Sequence, residues 1–141
     1  MKGKIVGLHI ATAHRAPTQR QESARALADL GLEGDIHNHP DSKRQVLLMD
    51  EETLNAFGLE AGRVRENITT RGIELKTLAL GSRLRAGNAV FEITQWCNPC
   101  KMIEDIRPGL RAQMAGQRGM FVRVVAGGEV RVGDAIEILN G

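Results

Sequence analysis

The chain has 141 residues, of which 42% are hydrophobic and 26% are charged, a composition typical of a single globular domain over residues 1–141. A formal net charge of +2 and a side-chain set with one Trp, three Phe and no Tyr give no indication of nucleic-acid binding. The apolar run at residues 5–11 is far shorter than the roughly 20 residues of a membrane span, so we expect no membrane insertion and a cytoplasmic location.

The first half of the chain predicts strands and helices in alternation. Residues 4–11 are β-branched and alternating, which favours a strand. Residues 18–31 place apolar side chains at helical spacing between a threonine and a glycine, which predicts an amphipathic helix. Residues 45–49 predict a buried strand, and a short helix should follow with Asp50 as its N-cap and Gly58 just past its end.

The second half contains a short internal echo, "RAGNAVFEI" at residues 85–93 and "RVGDAIEI" at residues 131–138. In each copy a Gly-Asn or Gly-Asp pair leads into an alternating strand, which is typical of a reused barrel corner. Many short strands, glycine turns and few helices predict a mainly β fold with a few short helices and a barrel-like shape.

Two cysteines, Cys97 and Cys100, form the stretch "WCNPCKM". In a reducing compartment such a pair indicates chemistry or metal binding rather than a structural disulfide. The helix predicted after it is cut short by Pro108, and no later proline exists to face the motif, so a thioredoxin fold is not indicated. A dithiol redox protein that uses both thiols remains an alternative function.

A zinc-stabilised module without catalysis is a further alternative. Cys97 and Cys100 would supply two thiolates, and His37 and His39 would supply two imidazoles to a tetrahedral site. Two histidines spaced i and i+2 can reach one ion only from an irregular loop, so solvated histidines are the more economical interpretation.

A series of motifs carries a resemblance across most of the chain. In order they are "GLEGDIH", "RQVLLM", "RENITTRGIEL", "LALGSRLRAGNAVFEIT" and "CNPCKMI". The series resembles the MOSC family, whose domains are similar to the C-terminal part of molybdenum cofactor sulfurases. The resemblance extends from about residue 4 to residue 139.

The resemblance implies a barrel-like β fold, binding of the molybdopterin form of molybdenum cofactor, and one key cysteine that aligns with Cys100. Family members include sulfurase domains, small stand-alone proteins and reductases of N-hydroxylated compounds. The expected functions are therefore cofactor binding, sulfur carrying, or support of such a reduction. A chain with two cysteines and no desulfurase domain would need a partner, namely a molybdoenzyme, a cysteine desulfurase or an electron-transfer protein.

Cys100 is the candidate catalytic residue and molybdenum ligand. If Asn98 caps the next helix and Pro99 takes its first position, Cys100 lies in the first turn, where backbone N–H groups favour a thiolate. Five cations and two acids between residues 96 and 123 add a local charge of +3, which also attracts an anionic ligand. Lys101 is the cation of this set that we assign to cofactor binding.

Residues outside this segment complete the predicted site. The resemblance gives Asp35 a role in the cofactor pocket and His37 a role in proton handling, although a loop-bracing Asp and a satisfied His would also explain the motif. Asn67 is assigned to the pocket as well, with bracing of a turn as its alternative. Arg44 and Arg71 are candidate contacts for the phosphate of a small anionic cofactor.

Overall fold

The computed structural model describes residues 2–139, and most of the regular structure within them is β-strand. The strands are β1 Lys2–Ile10, β2 Gln19–Gln21, β3 Ser23–Leu27, β4 Gly31–Leu32, β5 Val46–Asp50, β6 Ile68–Arg71, β7 Arg83–Ala86, β8 Ala89–Trp96, β9 Met120–Ala126, β10 Gly128–Arg131 and β11 Ala135–Leu139. The helices are α1 Glu51–Ala56, α2 Lys101–Ile106 and α3 Leu110–Gln113, with a 3₁₀ turn at Leu75–Thr77. None of the helices within residues 2–139 has both the length and the apolar character needed to cross a membrane.

Seven strands close into a barrel in the order β11-β7-β8-β9-β5-β6-β1, and β11 pairs with β1 to complete the ring. Neighbouring strands are antiparallel except β5 and β6, which run parallel. Strand β2 extends the sheet beside β1, and a small second sheet has the order β10-β3-β4. The prediction of a mainly β, barrel-like fold is confirmed.

The interior of the barrel is filled by alternate side chains from its strands. Leu84, Phe91, Ile93, Val122 and Ile136 are fully or almost fully buried in one apolar cluster. A bulge between Ile5 and Gly7 changes the register of β1 against β6, which allows both Ile5 and Leu8 to face this interior despite their spacing of three.

The three helices pack on a second apolar cluster, which begins on β5. Leu48 belongs to the barrel core, whereas its neighbour Met49 belongs to the second cluster, because successive strand residues face opposite sides. Leu54 of α1, Ile103 of α2 and Leu110 of α3 belong to the same cluster as Met49. The predicted helix after β5 is confirmed, since the Asp50 carboxylate accepts a hydrogen bond from Thr53 N at 3.0 Å.

The predicted helix at residues 18–31 is wrong. Residues 19–21 pair with β1, residues 23–27 pair with β10, and residues 31–32 pair with β3. Asp29 lies between β3 and β4 with a φ of 53°, a left-handed conformation that a continuous helix does not contain. The alanine-rich spacing suits a helix, but the hydrogen bonds that two partner strands offer override this local propensity.

The two copies of the echo both lead into strands, as predicted, but their turns differ. In the first copy, Gly87 and Asn88 join the paired strands β7 and β8 in a tight hairpin. In the second copy, the turn around Gly133 connects β10 of the small sheet to β11 of the barrel. The same turn chemistry therefore makes a hairpin in one place and a corner between sheets in the other.

Candidate functional site

The two cysteines lie where β8 leaves the barrel. The Cys97 amide donates to the Gly119 carbonyl at 3.0 Å and so continues the pairing of β8 with β9. Cys97 is 8% exposed, whereas Cys100 is exposed, and both are free thiols. Of the two residues, Cys100 is therefore the one that solvent and ligands can reach.

Burial makes Cys97 a poor nucleophile. Desolvation raises the pKa of its thiol, and the nearby Arg118 and Arg44 guanidinium groups only partly oppose this effect. Its Sγ lies 3.9 Å from the Asn98 carbonyl oxygen, a distance suited to a weak S–H donor. Cys97 is therefore a protonated, packed thiol at neutral pH.

Cys100 is the N-cap of α2 rather than a residue of its first turn, so the predicted start of this helix is wrong. Its φ and ψ of −118° and −178° are extended, the helix begins at Lys101, and Asn98 does not cap it. The Cys100 carbonyl accepts from Ile103 N at 3.0 Å. The extended backbone of Cys100 leaves Asn98, Pro99 and Cys100 outside the helix.

A large cleft of about 880 Å³ lies beside the start of α2, and Lys101 and Met102 form part of its wall. Its cations come from three segments of the chain and are Arg15, Arg20, Arg63, Arg65 and Lys101. Glu60 and Asp105 are the acids among the lining residues, so the cations exceed them by three charges. A concave site with this charge excess favours an anionic ligand.

Arg65 shapes the rim of the cleft. Its guanidinium donates to the carbonyl oxygens of Ala16 and Ala13, the latter at 3.2 Å, and so holds the loop that carries Arg15. Both Arg15 and Arg65 have left-handed backbones, with φ of 61° and 64°. Two non-glycine residues in this region indicate a backbone that tertiary contacts hold in place.

Asp35, His37 and Asn67 meet in one hydrogen-bonded group. The Asp35 carboxylate accepts from Ala11 N at 2.9 Å, from His37 N and Nδ1 at 2.8 Å each, and from Asn67 Nδ2 at 2.9 Å. Burial alone would raise the pKa of Asp35, but these donors outweigh it and the pKa is lowered. The bracing alternative thus describes the contacts of Asp35, whereas its role toward a cofactor stays a prediction.

Asn67 also ties three parts of the barrel together. Its Oδ1 accepts from Leu47 N at 2.9 Å, and its Nδ2 donates to the His9 carbonyl at 3.1 Å. The His9 amide in turn donates to the Asn67 carbonyl at 2.8 Å. Asn67 therefore fixes the end of β1 through both its backbone and its side chain.

The two arginines that the sequence suggested for phosphate binding have protein partners. Arg71 Nη2 donates to both carboxylate oxygens of Glu51, at 3.1 and 3.0 Å. The Arg44 guanidinium lies 5.5 Å from the centre of the Phe121 ring, a cation–π distance. Neither arginine is among the residues that line the cleft, and their contact with a phosphate stays a prediction.

Glu66 and Arg118 are a buried acid and a buried cation. Glu66 Oε2 accepts from Gly62 N and from Thr69 Oγ1, at 2.8 Å each, while Oε1 has no partner among the described residues. Arg118 is 4% exposed, and its Nε and Nη1 likewise have no partner within residues 2–139. Burial raises the pKa of Glu66, and the Arg118 charge opposes that rise.

The zinc alternative lacks a ligand set in the described part of the chain. No three side chains of His, Cys, Asp or Glu within residues 2–139 are arranged to hold a metal ion. His37 binds Asp35 instead, and His39 Nδ1 lies 2.8 Å from the Pro40 carbonyl oxygen.

Sequence reasoning missed most of the residues that line the cleft. Among the predicted residues Lys101 lines it and Cys100 directly precedes Lys101, whereas Asp35, His37 and Asn67 do not line it. The residues that were missed are His9, Arg15, Arg20, Arg63 and Arg65. The arginine content, 14 of the 19 basic residues, is a signal for an anionic ligand, but it gives no position because the side chains come from separate segments.

These features define a class: a small β-barrel protein with a cationic cleft and an accessible cysteine next to a residue of its wall. The model of the MOSC domain family matches residues 33–137. The chain therefore belongs to the MOSC domain family.

Solved structures confirm the barrel. The YuaD protein of Bacillus subtilis superposes with a TM-score of 0.85 at 23% identity, over 98% of this chain and 96% of that one. YiiM of Geobacillus stearothermophilus gives 0.78 at 18% identity, over 98% and 75% of the two chains. YiiM of Escherichia coli gives 0.75 at 20% identity, over 100% and 71%. No curated protein matches the chain.

Proposed function

We propose that this protein binds the molybdopterin form of molybdenum cofactor in the cationic cleft, with Cys100 as the metal ligand or as the acceptor of a sulfane sulfur. The main support is the cleft itself, whose wall includes the residue that follows Cys100. Family membership gives the ligand class, because MOSC domains are associated with this cofactor.

The donor set of the cleft suits the chemical parts of such a ligand. Its phosphate matches the guanidinium groups of Arg15, Arg20 and Arg63 and the Lys101 ammonium. Its sulfur-bound metal matches a soft sulfur ligand, which the exposed Cys100 side chain provides. His9, which also lines the cleft, has a buried Nδ1 without a partner among the described residues.

When bound, the cofactor would supply redox chemistry at a sulfur-ligated metal, and the chain would supply binding, orientation and proton handling. Cys100 would act in its ionised form. His37 would carry a proton at Nε2, since its Nδ1 is engaged by Asp35. Arg44 and Arg71 stay assigned as contacts of the cofactor phosphate, and Asn67 stays assigned to the cofactor pocket.

The sulfur-carrier role requires a partner that donates sulfur. The Cys100 thiolate would attack the outer sulfur of a persulfide on a cysteine desulfurase, the donor would leave as a thiolate, and Cys100 would keep the persulfide. A molybdoenzyme would be the recipient. In the alternative role, reduction of N-hydroxylated compounds, an electron-transfer protein would be the partner.

The cleft can be tested by loading the protein with cofactor and measuring retained molybdenum and zinc by elemental analysis. We expect Arg20→Ala to retain at most a few tenths of the wild-type molybdenum, because one charge-assisted hydrogen bond contributes about 1.5 kcal/mol or more. Arg83→Ala is the matched control, since Arg83 pairs with Glu92 and does not line the cleft. If Arg20→Ala retained as much molybdenum as Arg83→Ala and the wild type, the proposal would be contradicted.

The dithiol alternative makes a different prediction for Cys97. A redox protein that uses both thiols loses disulfide reductase activity in Cys97→Ser, and its oxidised form contains one intramolecular disulfide. The raised pKa of the buried Cys97 thiol argues only against Cys97 as the attacking thiol of such a pair. A reversible Cys97–Cys100 disulfide together with reductase activity would support the alternative.

A further inference from the structure

His9 of β1 is nearly enclosed but lines the cationic cleft. It is 4% exposed, and its Nδ1 is buried without a hydrogen-bonding partner within residues 2–139. A buried ring nitrogen without a partner costs free energy unless a ligand or a water satisfies it. The ring is therefore a polar group with unsatisfied hydrogen-bonding capacity at the wall of the cleft.

The backbone around His9 leaves space for the ring. A Cβ atom on Gly62 would lie 2.8 Å from His9 Cδ2 and 2.9 Å from Nε2, and one on Gly7 would lie 3.0 Å from Cε1. Glu66 holds the Gly62 turn in place through its bond to Gly62 N at 2.8 Å. Two glycines and a buried carboxylate thus fix the position of this ring.

The ring is held neutral. Burial lowers the pKa of His9, and the charge of Arg20, its cross-strand neighbour, lowers it further. A neutral imidazole has one N–H donor and one nitrogen acceptor and adds no charge. It complements the edge of a polar heterocycle, whereas the arginines complement an anion.

We propose that His9 is a specificity-determining residue that hydrogen-bonds the heterocyclic, pterin-like end of the ligand, while the cations of the cleft hold its phosphate. This assignment rests on the proposed function. It gives the cleft two parts, a neutral floor at His9 and a cationic wall that includes Arg20 and Lys101. Asp35 and Asn67 contribute indirectly, because their hydrogen bonds hold the backbone from His9 to Ala11.

The test is a fluorescence titration of the metal-free protein with hydroxymethylpterin, with its monophosphate, and with inorganic phosphate as competitor. The variants are His9→Leu, which removes both polar groups, and His9→Gln, which restores one donor and one acceptor. His14→Leu is the matched control, because His14 is exposed and does not line the cleft. Thermal unfolding of each variant reports whether it is folded.

We expect His9→Leu to weaken both pterins about tenfold, the effect of one hydrogen bond to a desolvated group, and to leave competition by phosphate unchanged. His9→Gln should recover most of the affinity, which a purely structural loss would not allow. The role of His9 would be overturned, without affecting the proposed function, by either of two results. One is equal pterin affinity in wild type and His9→Leu, and the other is a loss of phosphate affinity as large as the loss of pterin affinity. If neither pterin binds the wild type, the proposed function fails with it.

Discussion

At the scale of single residues, hydrogen bonds decide the environment of the "GDIH" motif. Asp35 is a carboxylate with four donors, from Ala11, His37 and Asn67. An isolated buried carboxylate would be strongly disfavoured, but this one is ionised more readily than a free aspartate because its donors favour the charged form. The motif is thus a brace that orients His37 and fixes the end of β1.

Asp35 predicts a pH dependence of stability. Because its folded pKa lies below its ordinary value of 3.8, its contribution is fully present above that value and is lost as the pH falls through the folded pKa. Asp35→Asn should reduce the free energy of unfolding by about 3 kcal/mol at pH 7, since it leaves donors without an acceptor. Urea unfolding between pH 2 and about pH 7 measures both effects.

Asp41→Asn is the matched control for this measurement, because Asp41 is exposed on the same loop. We expect its free energy of unfolding at pH 7 to lie within about 0.5 kcal/mol of the wild-type value. We also expect it to lose stability at low pH as the wild type does. If Asp35→Asn lost as much stability at low pH as the wild type does, Asp35 would not be the group whose protonation causes that loss.

The roles of some residues could be predicted from the sequence, and the roles of others could not. Asp50 was recognised as an N-cap, because its hydrogen bond to Thr53 is local in the chain. The cleft was not recognised, because His9 and Arg20 of two paired strands meet Arg63 and Lys101 of distant segments only in the folded chain. A motif search finds neighbours in sequence, whereas this site depends on neighbours in space.

At the scale of elements, the turn before β6 places Gly62 against the His9 ring in the lining of the cleft. Gly62 has a φ of 86°, and a Cβ there would overlap the His9 ring. Gly81 has nearly the same φ, 87°, but no atom lies within 4 Å of the place that a Cβ would occupy. A comparison of alanine substitutions at the two positions therefore separates the cost of a left-handed backbone from the cost of steric overlap.

We expect Gly81→Ala to lose about 1 kcal/mol, the cost of a left-handed alanine, and Gly62→Ala to lose about 1 to 3 kcal/mol more. Chemical denaturation of the two variants measures the difference, and the His9 ring signals in NMR spectra should shift only in Gly62→Ala. Equal stability of the two variants would mean that the His9 ring can move away without cost.

Some strands and helices could be predicted from the sequence and others could not. Strand β5 and helix α1 were predicted because a buried run and a cap are both local signals. Residues 18–31 failed because their strand pairs are with β1 and β10, and β10 is about a hundred residues further along the chain. The spacing of apolar residues in a short alanine-rich segment does not indicate pairing with a distant strand.

At the scale of the whole molecule, the contact between β11 and β1 closes the barrel. Lys2 to Lys4 pair with Ala135 to Glu137, so the first and last strands meet along one seam. Ile136 is fully buried in the barrel core, and Ile138 on the same strand is only partly buried. Closure removes open strand edges along this seam.

Ile136→Ala should therefore cost about 2 to 5 kcal/mol, the usual range for truncation of a buried isoleucine. Ile138→Ala, the matched control on the same face of β11, should cost roughly half as much or less because it is partly exposed. Guanidinium unfolding measures both values. A greater loss for Ile138 would contradict the described register of β11.

The barrel class could be predicted from the sequence as a whole, because glycine turns and alternating strands recur throughout the second half. The family resemblance pointed to Cys100 rather than Cys97, and the exposure of the two thiols agrees with that order. What the cleft binds is a separate matter, since one fold can carry many functions.

The most direct test of the central claim compares molybdenum retained after cofactor loading in wild type, Cys100→Ser and Cys97→Ser. We predict that Cys97→Ser retains nearly the wild-type amount, because the Cys97 thiol is buried and protonated, and that Cys100→Ser loses most of it. Equal retention by wild type and Cys100→Ser would contradict the role of Cys100 as the metal ligand.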